Sequence, residues 1–358
     1  MTSINEEPMV SIVIPVFNGE SYIENIINCM LRQTYTNWEL IFVDDKSEDD
    51  TKNIISRFSE CDNRIKLIVR NREPKGSTTC RNIGLEAVSG KYLINIDADD
   101  FISDDFLQDR VRFMEENLEC DYATFKACSV RKVKDKLYFD GEVWGKSRND
   151  DILELFLSTK YPFSIWNNIY RTKKFKNEKW DENVKIYTDF SYAVPAILKG
   201  YKHKFALKDA WDYFYVVGVQ NSMCSNFISQ EKYESTKYLF GKIWRNINEI
   251  DDNKKYKKAF NKFFELQFTR LLIKGTEWQQ KDYLKFCEEY LNRYALLKMN
   301  LVFKGIKLSN NIFKDNNYLS KIIIALFYYP KNIWYGVKNR LNLNTESDLV
   351  EVLKIERY

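Results

Sequence analysis

The sequence predicts an α/β fold, with a mostly parallel central sheet followed by a helical C-terminal region. Apolar runs typical of buried strands alternate with helical apolar spacing over the first hundred residues, and beyond residue 225 only helical spacing recurs. Hydrophobic residues make up 44% and charged residues 30% of the 358 residues, so the chain can bury a sizeable core and does not have a disordered composition. This length predicts about two units, which we place at residues 1–225 and 226–358.

Four strands and four helices alternate in the first of these units. The predicted strands are the apolar runs Val10–Val16, Trp38–Val43, Ile65–Val69 and Lys91–Ile96. The helices are predicted at 23–31, from 49 onward, at 77–88 and after Ser103. Alternation with short links implies a sheet covered on both faces, and ligands of such sheets bind beyond the carboxyl ends of the strands.

Polar residues follow each predicted strand at this binding edge. They are Asn18, Asp44, Asp45, Asn71, Asp97, Asp99 and Asp100. Three of them are carboxylates within four residues, 97–100, which repel one another and favour a hard divalent cation such as Mg²⁺ or Mn²⁺. The alternative interpretation is an Asp-rich turn that caps the next helix.

Four segments occur in a specific order: SIVIPVFNGESYIENII, ELIFVDDKSEDDT, GSTTCRNIGL and YLINIDADDF. In the order and spacing of these four segments the chain resembles the family 2 glycosyltransferases of bacterial surface-glycan synthesis, which have the Rossmann-like A-type glycosyltransferase (GT-A) fold. The resemblance spans about residues 9–222. Weaker blocks within it are the run WNNIYR at 166–171, Thr188-Asp189-Phe190 and the aromatic strand at 213–215 that leads to Ser222.

The resemblance implies a nucleotide-sugar donor, expected to be a UDP-sugar. It places Pro15 and Val16 against the base by backbone contacts, stacks Phe17 on the uracil, and lets Asp44 accept from the uracil N–H. Further donor-binding positions are expected at Asn71, Arg81, Asp97 and Ser222, and Asp99 is expected to bind Mn²⁺ or Mg²⁺. For three of these the residues leave an alternative open: Phe17 as a core aromatic, Asp44 as a turn acid and Arg81 as a structural ion-pair partner.

Asp189 matches the position of the family's catalytic base. The implied reaction is inverting transfer of a hexosyl or N-acetylhexosaminyl group to a hydroxyl of a glycan or lipid-linked acceptor. Thr188 stands where the family usually has Glu, and it could instead cap the helix; an acid in a first helical turn is the alternative for Asp189. Lys46 stands where Gly is common, which matters only if its φ is positive. His203 is interpreted as a surface residue.

Two other functions stay open at this stage. One is a non-catalytic subunit of a glycan-assembly complex, which intact acids at 44, 97, 99 and 189 argue against. The other is a nucleotidyltransferase, which would usually show a Gly-rich loop after its first strand. The segment GEVWGKS at 141–147 has three residues between its glycines where a phosphate loop needs four. No nucleic-acid partner is expected.

Charge and cysteine usage suggest a location. Residues 231–358 hold 24 Lys+Arg against 15 Asp+Glu, whereas residues 1–230 hold 31 against 36. The apolar run Ile322–Tyr329 lies within the basic part, so a membrane-interface helix is expected; packing on other helices, or a homo-oligomer contact through them, is the alternative. Seven cysteines without C-x-x-C spacing, and an acidic start without an apolar core, predict a cytoplasmic protein, peripheral at the inner face of the membrane in the first interpretation.

Overall fold

The computed structural model of the chain describes residues 7–134, 136–145, 151–206, 210–218 and 228–313. Contacts among these residues form two compact units. The first comprises residues 7–152 and 161–218, and the second comprises 153–160 and 228–313.

The first unit holds all the described strands, in two sheets. They are β1 (Val10–Val16), β2 (Trp38–Asp44), β3 (Ile65–Val69), β4 (Tyr92–Asn95), β5 (Phe101–Ile102), β6 (Tyr122–Thr124), β7 (Ala127–Val133), β8 (Lys136–Trp144), β9 (Asn168–Arg171), β10 (His203–Phe205) and β11 (Tyr213–Val216). The helices up to residue 198 are α1 (Ile23–Leu31), α2 (Thr51–Cys61), α3 (Ser77–Ala87), α4 (Phe106–Glu116), α5 (Ile152–Leu157), α6 (Thr172–Phe175) and α7 (Thr188–Leu198).

The larger sheet has seven strands in the order β10-β6-β9-β4-β1-β2-β3. Its centre is parallel: β1 pairs with β2 and β4, and β2 pairs with β3. Only β9 runs antiparallel to its neighbours β4 and β6. All seven residues of β2 are buried, as expected for a strand covered on both faces. The predicted α/β fold with a mostly parallel sheet is therefore confirmed.

Helix α3 lies unusually close to this sheet. A Cβ added at Gly84 would overlap the side chain of Val13 in β1 and come within 3.3 Å of Val43 in β2. Glycine therefore allows the helix to approach the strands, which carries the residues at its start toward the carboxyl edge of the sheet.

The second sheet, ordered β5-β11-β7-β8, was not predicted beyond its aromatic strand. Its buried apolar residues Cys128, Val130, Leu137, Phe214 and Val216 form a separate cluster. Strand β8 contains the first four residues of GEVWGKS, so residues 141–144 are extended strand and not a phosphate loop.

The prediction that His203 is a surface residue holds only in part, because its side chain is partly buried. It lies in strand β10 between the exposed residues Lys202 and Lys204, so alternation along the strand turns its side chain to the opposite face. There its ring packs against Tyr122 and Phe205. Burial lowers the pKa of His203 to about 3.

The described part of the second unit from residue 228 on consists of helices. They are α8 (Gln230–Asn248), α9 (Lys254–Lys274), α10 (Glu277–Cys287) and α11 (Arg293–Phe313). Phe260, Phe263, Phe264 and Phe268 of α9 are fully buried, so their helical spacing marks a core stripe. Helices α10 and α11 are separate, because Asn292 accepts a hydrogen bond from the Ala295 N–H and starts a new helix there.

Two predicted features lie outside the described residues, namely Ser222 and the apolar run Ile322–Tyr329. Their roles in donor binding and membrane contact stay predictions. None of the helices within the described ranges is both long and apolar enough to cross a bilayer.

Candidate active site

The ends of β1 and β2 form one wall of the site. Asp44 is fully buried at the end of β2, and its Oδ1 accepts from the Ser47 N–H at 2.9 Å. Its Oδ2 is buried and has no hydrogen-bond partner among the residues that the structure describes. A buried acceptor without a donor is costly, so this oxygen is prepared to accept from a ligand N–H. Pro15 and Val16 lie beside it, and the Val16 carbonyl already accepts from the Asp45 N–H at 2.8 Å.

The loops that follow these two strands brace each other. Asn18 donates its N–H to Ser47 Oγ and accepts from the Glu48 N–H, both at 2.9 Å. Gly19 donates to Thr51 Oγ1 at 2.7 Å. Lys46 lies in the loop after β2. Its φ is 65°, in the left-handed region that glycine prefers. The family's usual glycine at this position thus matches the backbone, and the lysine of this chain is accommodated with strain.

Phe17 is not a core aromatic. Its side chain is 38% exposed at the edge of the sheet, and the ammonium of Lys75 lies 3.5 Å from the ring centroid. An exposed ring face can stack on a nucleobase once the lysine leaves it. Asn71 is exposed on the loop that carries Lys75, and the described hydrogen bonds include none from its side chain.

Arg81 and Asp97 form an ion pair in the middle of the site. Arg81 Nη2 donates to Asp97 Oδ1 at 2.6 Å, with the arginine side chain 5% exposed and that of Asp97 31% exposed. The Arg81 guanidinium lies 5.0 Å from the ring centroid of Trp180, and its Nε is buried without an acceptor in the described part of the chain. The alternative of a structural ion pair is therefore present in the structure, and one Arg81 donor is still available to a ligand.

The three carboxylates after β4 have different environments. Asp100 is fully buried and accepts from the Tyr213 hydroxyl and the Val216 N–H of β11. Asp99 faces the site; burial, and next the charge of Asp97, raise its pKa to about 6. Burial, and next the charge of Asp99, raise the pKa of the neighbouring Tyr22 to about 12.

A divalent cation fits this arrangement through Asp99. Asp97 is paired with Arg81 and Asp100 is turned into the protein, which leaves the Asp99 carboxylate without a side-chain partner among the described residues. No group of three or more His, Cys, Asp or Glu side chains that could hold a metal occurs in the described ranges. A metal held here would need oxygen ligands from the donor diphosphate, which Mg²⁺ and Mn²⁺ accept readily.

Asp189 lies in the first turn of α7, with a partly exposed side chain. The Ser164 hydroxyl donates to its Oδ2, and the Thr188 hydroxyl lies 3.5 Å from its Oδ1. Burial raises the pKa of Asp189, while the Ser164 hydrogen bond lowers it. Thr188 is not the helix cap: it is the first helical residue, and Tyr187, at a φ of 59°, precedes the helix.

The structure brings most of the predicted positions to one edge of the sheet. The charges of Asp97 and Arg81 both act on Asp189, which places the base candidate beside the donor-side ion pair. Ser164, Lys75, Trp180 and Tyr213 were not predicted. Their contacts join segments distant along the chain, so no local spacing could have indicated them.

Aromatic side chains continue from Asp189 onto the second sheet. The ring of Trp166 stacks on Tyr213 and Tyr215 at centroid distances of 4.6 and 5.6 Å. Trp144 meets Trp166 edge-on at 5.1 Å. Trp144 and Tyr215 are only half-buried, so they present aromatic surface next to the segment that binds Asp189. Partly exposed aromatic walls with polar groups beside them are typical of ligand sites.

Comparison with known proteins identifies the family. Residues 11–197 match the model of glycosyl transferase family 2, and this segment contains every predicted site residue except Ser222. The chain belongs to this family.

Relatives and solved structures agree with that assignment. An uncharacterized glycosyltransferase of Haemophilus influenzae is 37% identical over 131 residues, which cover 36% of this chain and 52% of the relative. The Escherichia coli enzyme WfgD, named UDP-Glc:alpha-D-GlcNAc-diphosphoundecaprenol beta-1,3-glucosyltransferase, is 38% identical over 112 residues, 31% of this chain and 43% of WfgD. These matches span about half the length of the relatives.

The S. aureus protein TarS, residues 1–349 in complex with UDP-GlcNAc, is similar in structure with a TM-score of 0.59. At 20% identity the match covers 98% of both chains, and at that identity it shows a shared GT-A fold.

Proposed function

We propose that the chain is an inverting, metal-dependent glycosyltransferase that uses a UDP-sugar donor in surface-glycan synthesis. The observation that carries the proposal is the meeting of three acids at one sheet edge in a member of glycosyl transferase family 2. Among the described residues, Asp44 has a buried oxygen without a donor, Asp99 has a partly exposed carboxylate without a side-chain partner, and Asp189 accepts a hydrogen bond from the Ser164 hydroxyl.

The donor half of the site suits a uridine nucleotide. Asp44 Oδ2 can accept the N–H of uracil, Phe17 can stack on its face, and the free Arg81 Nε can donate to a phosphate or ribose oxygen. Asp99 would hold a Mg²⁺ or Mn²⁺ ion, which when bound neutralises the charge that develops on the departing diphosphate. The relative named for UDP-glucose and the similar structure that contains UDP-GlcNAc support uracil as the nucleobase of the donor.

The acceptor half of the site is built around Asp189. Its carboxylate takes the proton from an acceptor hydroxyl as that oxygen attacks the anomeric carbon. The bond from this carbon to the diphosphate oxygen breaks, and the nucleoside diphosphate leaves with the bonding electrons. One displacement from the face opposite the leaving group inverts the configuration. The half-exposed rings of Trp144 and Tyr215 support a glycan acceptor, because sugar rings stack their C–H faces on aromatic side chains.

The test is the release of nucleoside diphosphate from a panel of UDP- and GDP-sugars with Mn²⁺, in wild type and Asp189→Asn. We expect UDP and no pyrophosphate from the wild type, and a loss of about 10²–10⁴-fold in turnover in the variant, with UDP binding retained. Asp109→Asn is the control, because Asp109 is also an acid in a first helical turn. Near-normal turnover in Asp189→Asn would contradict the assignment of the base, and pyrophosphate release would indicate a nucleotidyltransferase.

A further inference from the structure

The turn that precedes β9 positions the hydroxyl group that donates to Asp189. Residues Ile165–Asn167 form a single 3₁₀ turn, and Ser164 caps it. The Asn167 N–H donates to the Ser164 hydroxyl, and the Asn167 side chain accepts from the Ser164 N–H at 3.0 Å. With its oxygen already accepting from the backbone, the Ser164 hydroxyl directs its hydrogen outward, toward Asp189 Oδ2.

The turn itself is anchored in the core. Asn168 Nδ2 donates to the Ser164 carbonyl at 3.0 Å, and Asn167 Nδ2 donates to the Phe125 carbonyl at 2.8 Å. Beneath it, the fully buried Arg110 donates to the Asn168 carbonyl at 3.2 Å and forms a bidentate ion pair with Asp212 at 2.9 and 3.0 Å. The position of the Ser164 hydroxyl is therefore set by a network that reaches the interior.

We infer that Ser164 is the positioning residue for the catalytic base: its hydroxyl holds Oδ2 of the Asp189 carboxylate, so that Oδ1, which lies 3.5 Å from the Thr188 hydroxyl, is the oxygen that takes the acceptor proton. This inference rests on the proposed function. It also explains the run WNNIYR at 166–171, because Asn167 and Asn168 of this run anchor the turn that orients the catalytic base Asp189. Ser164 does not touch the substrate and acts through Asp189.

Two consequences separate this role from simple packing. Without the hydroxyl, the carboxylate samples other orientations, and misplacement of a reacting group by about 1 Å can cost about 10²-fold in rate. The same hydrogen bond favours the charged form of Asp189. Its removal therefore raises the pKa of the base and shifts the acidic limb of the kcat–pH profile to higher pH. The other ionisable groups facing Asp189 are Asp97, Arg81 and Tyr170, and they are unchanged by the substitution.

The experiment compares Ser164→Ala with Ser191→Ala in the full chain. Ser191 is a matched control, because it is 8% exposed against 7% for Ser164 and lies in the same helix as Asp189. Its hydroxyl donates to the Thr188 carbonyl at 2.8 Å and not to a carboxylate. UDP release from UDP-glucose and UDP-GlcNAc is measured over pH, with binding of UDP measured separately.

We expect Ser164→Ala to lower kcat about 10- to 100-fold, with KM for the donor unchanged and the acidic limb moved to higher pH. Ser191→Ala should match the wild type in kcat and in the pH profile. Ser164→Thr keeps a hydroxyl and should retain the wild-type kcat and pH profile. A Ser164→Ala enzyme with the kcat and pH profile of Ser191→Ala would overturn the inference. If Ser164→Ala does not fold, Ser164→Cys against Ser164→Thr decides, since the weaker thiol donor must be slower and equal rates overturn the inference.

Failure of the proposed function gives a different pattern. In that case the wild type itself releases no UDP, or releases pyrophosphate, whereas a wrong assignment of the base leaves Asp189→Asn with its turnover. If Asp189→Asn is inactive while Ser164→Ala is normal, Asp189 is the base and only the role of Ser164 is wrong. In the Asp189→Asn background, the added Ser164→Ala change should have no further effect on rate, because the two residues act as one unit.

Discussion

Lowering the pH from 7.5 to 5.0 should destabilise the first unit through one residue, His203. Its ring lies 4.5 to 5.2 Å from the rings of Phe205, Tyr122 and Phe163, and one ring nitrogen is 2.8 Å from Thr124 Oγ1. This apolar setting opposes the charged form, and burial lowers the pKa from 6.5 to about 3.

The size of the effect follows from the two pKa values. In the unfolded chain His203 gains a proton as the pH falls below 6.5, whereas in the folded chain it stays neutral until about 3. A group with a depressed native pKa stabilises the fold above the unfolded pKa, and this contribution is lost as the pH falls. The His203 contribution to the free energy of unfolding is therefore about 2 kcal/mol smaller at pH 5.0 than at pH 7.5.

Because the chain has a single histidine, NMR can follow its ring protons directly. We expect no titration of that resonance between pH 7.5 and 5. His203→Gln keeps a polar group but cannot titrate there, so its unfolding free energy should change about 2 kcal/mol less than that of wild type over the same interval. A native histidine that titrates near 6.5, or equal pH dependence in the two proteins, would refute the reasoning.

Two further outcomes concern the active site. Excess chelator should abolish UDP release by the wild type, and Asp99→Ala should be inactive while still binding UDP; turnover that survives chelation would exclude the metal. Trp144→Leu should lower transfer to a glycan acceptor about 10-fold while UDP-sugar hydrolysis stays within about twofold, because aromatic contacts of this kind contribute about 1 kcal/mol or more. The control is Trp211→Leu, a half-buried ring that stacks on Phe139 of the same sheet; equal losses in the two variants would argue against an acceptor surface at Trp144.

The parallel half of the fold could be predicted because its signals are local. The strands β1 and β3 begin and end at the predicted residues. For β1 the reason is a continuous apolar run that is buried on both faces, which leaves little ambiguity. The acids at strand ends could be predicted for the same reason. The small sheet was missed, because short strands such as β5 and the mixed pattern of β8 lack a clear apolar period.

The acceptor side of the site could not be predicted from spacing. The Ser164–Asp189 hydrogen bond spans 25 residues and the Arg110–Asp212 pair spans 102, so only the folded chain brings these partners together. The same holds for His203, whose neighbours Tyr122 and Phe163 come from other segments. Only the alternation of strand β10 turns the ring toward these neighbours.

The attachment of Asp100 to β11 links the two sheets at the turn that carries Asp97 and Asp99. Because Asp100 is hydrogen-bonded to Tyr213 and Val216, a displacement of this turn is passed on to the second sheet. That sheet carries the aromatic wall formed by Trp144 and Tyr215. A donor that moves the turn would therefore alter the affinity of the wall for an acceptor. Thermodynamic reciprocity then requires a bound acceptor to change the affinity for the donor by the same factor. Donor and acceptor binding would thus be coupled through a single buried carboxylate.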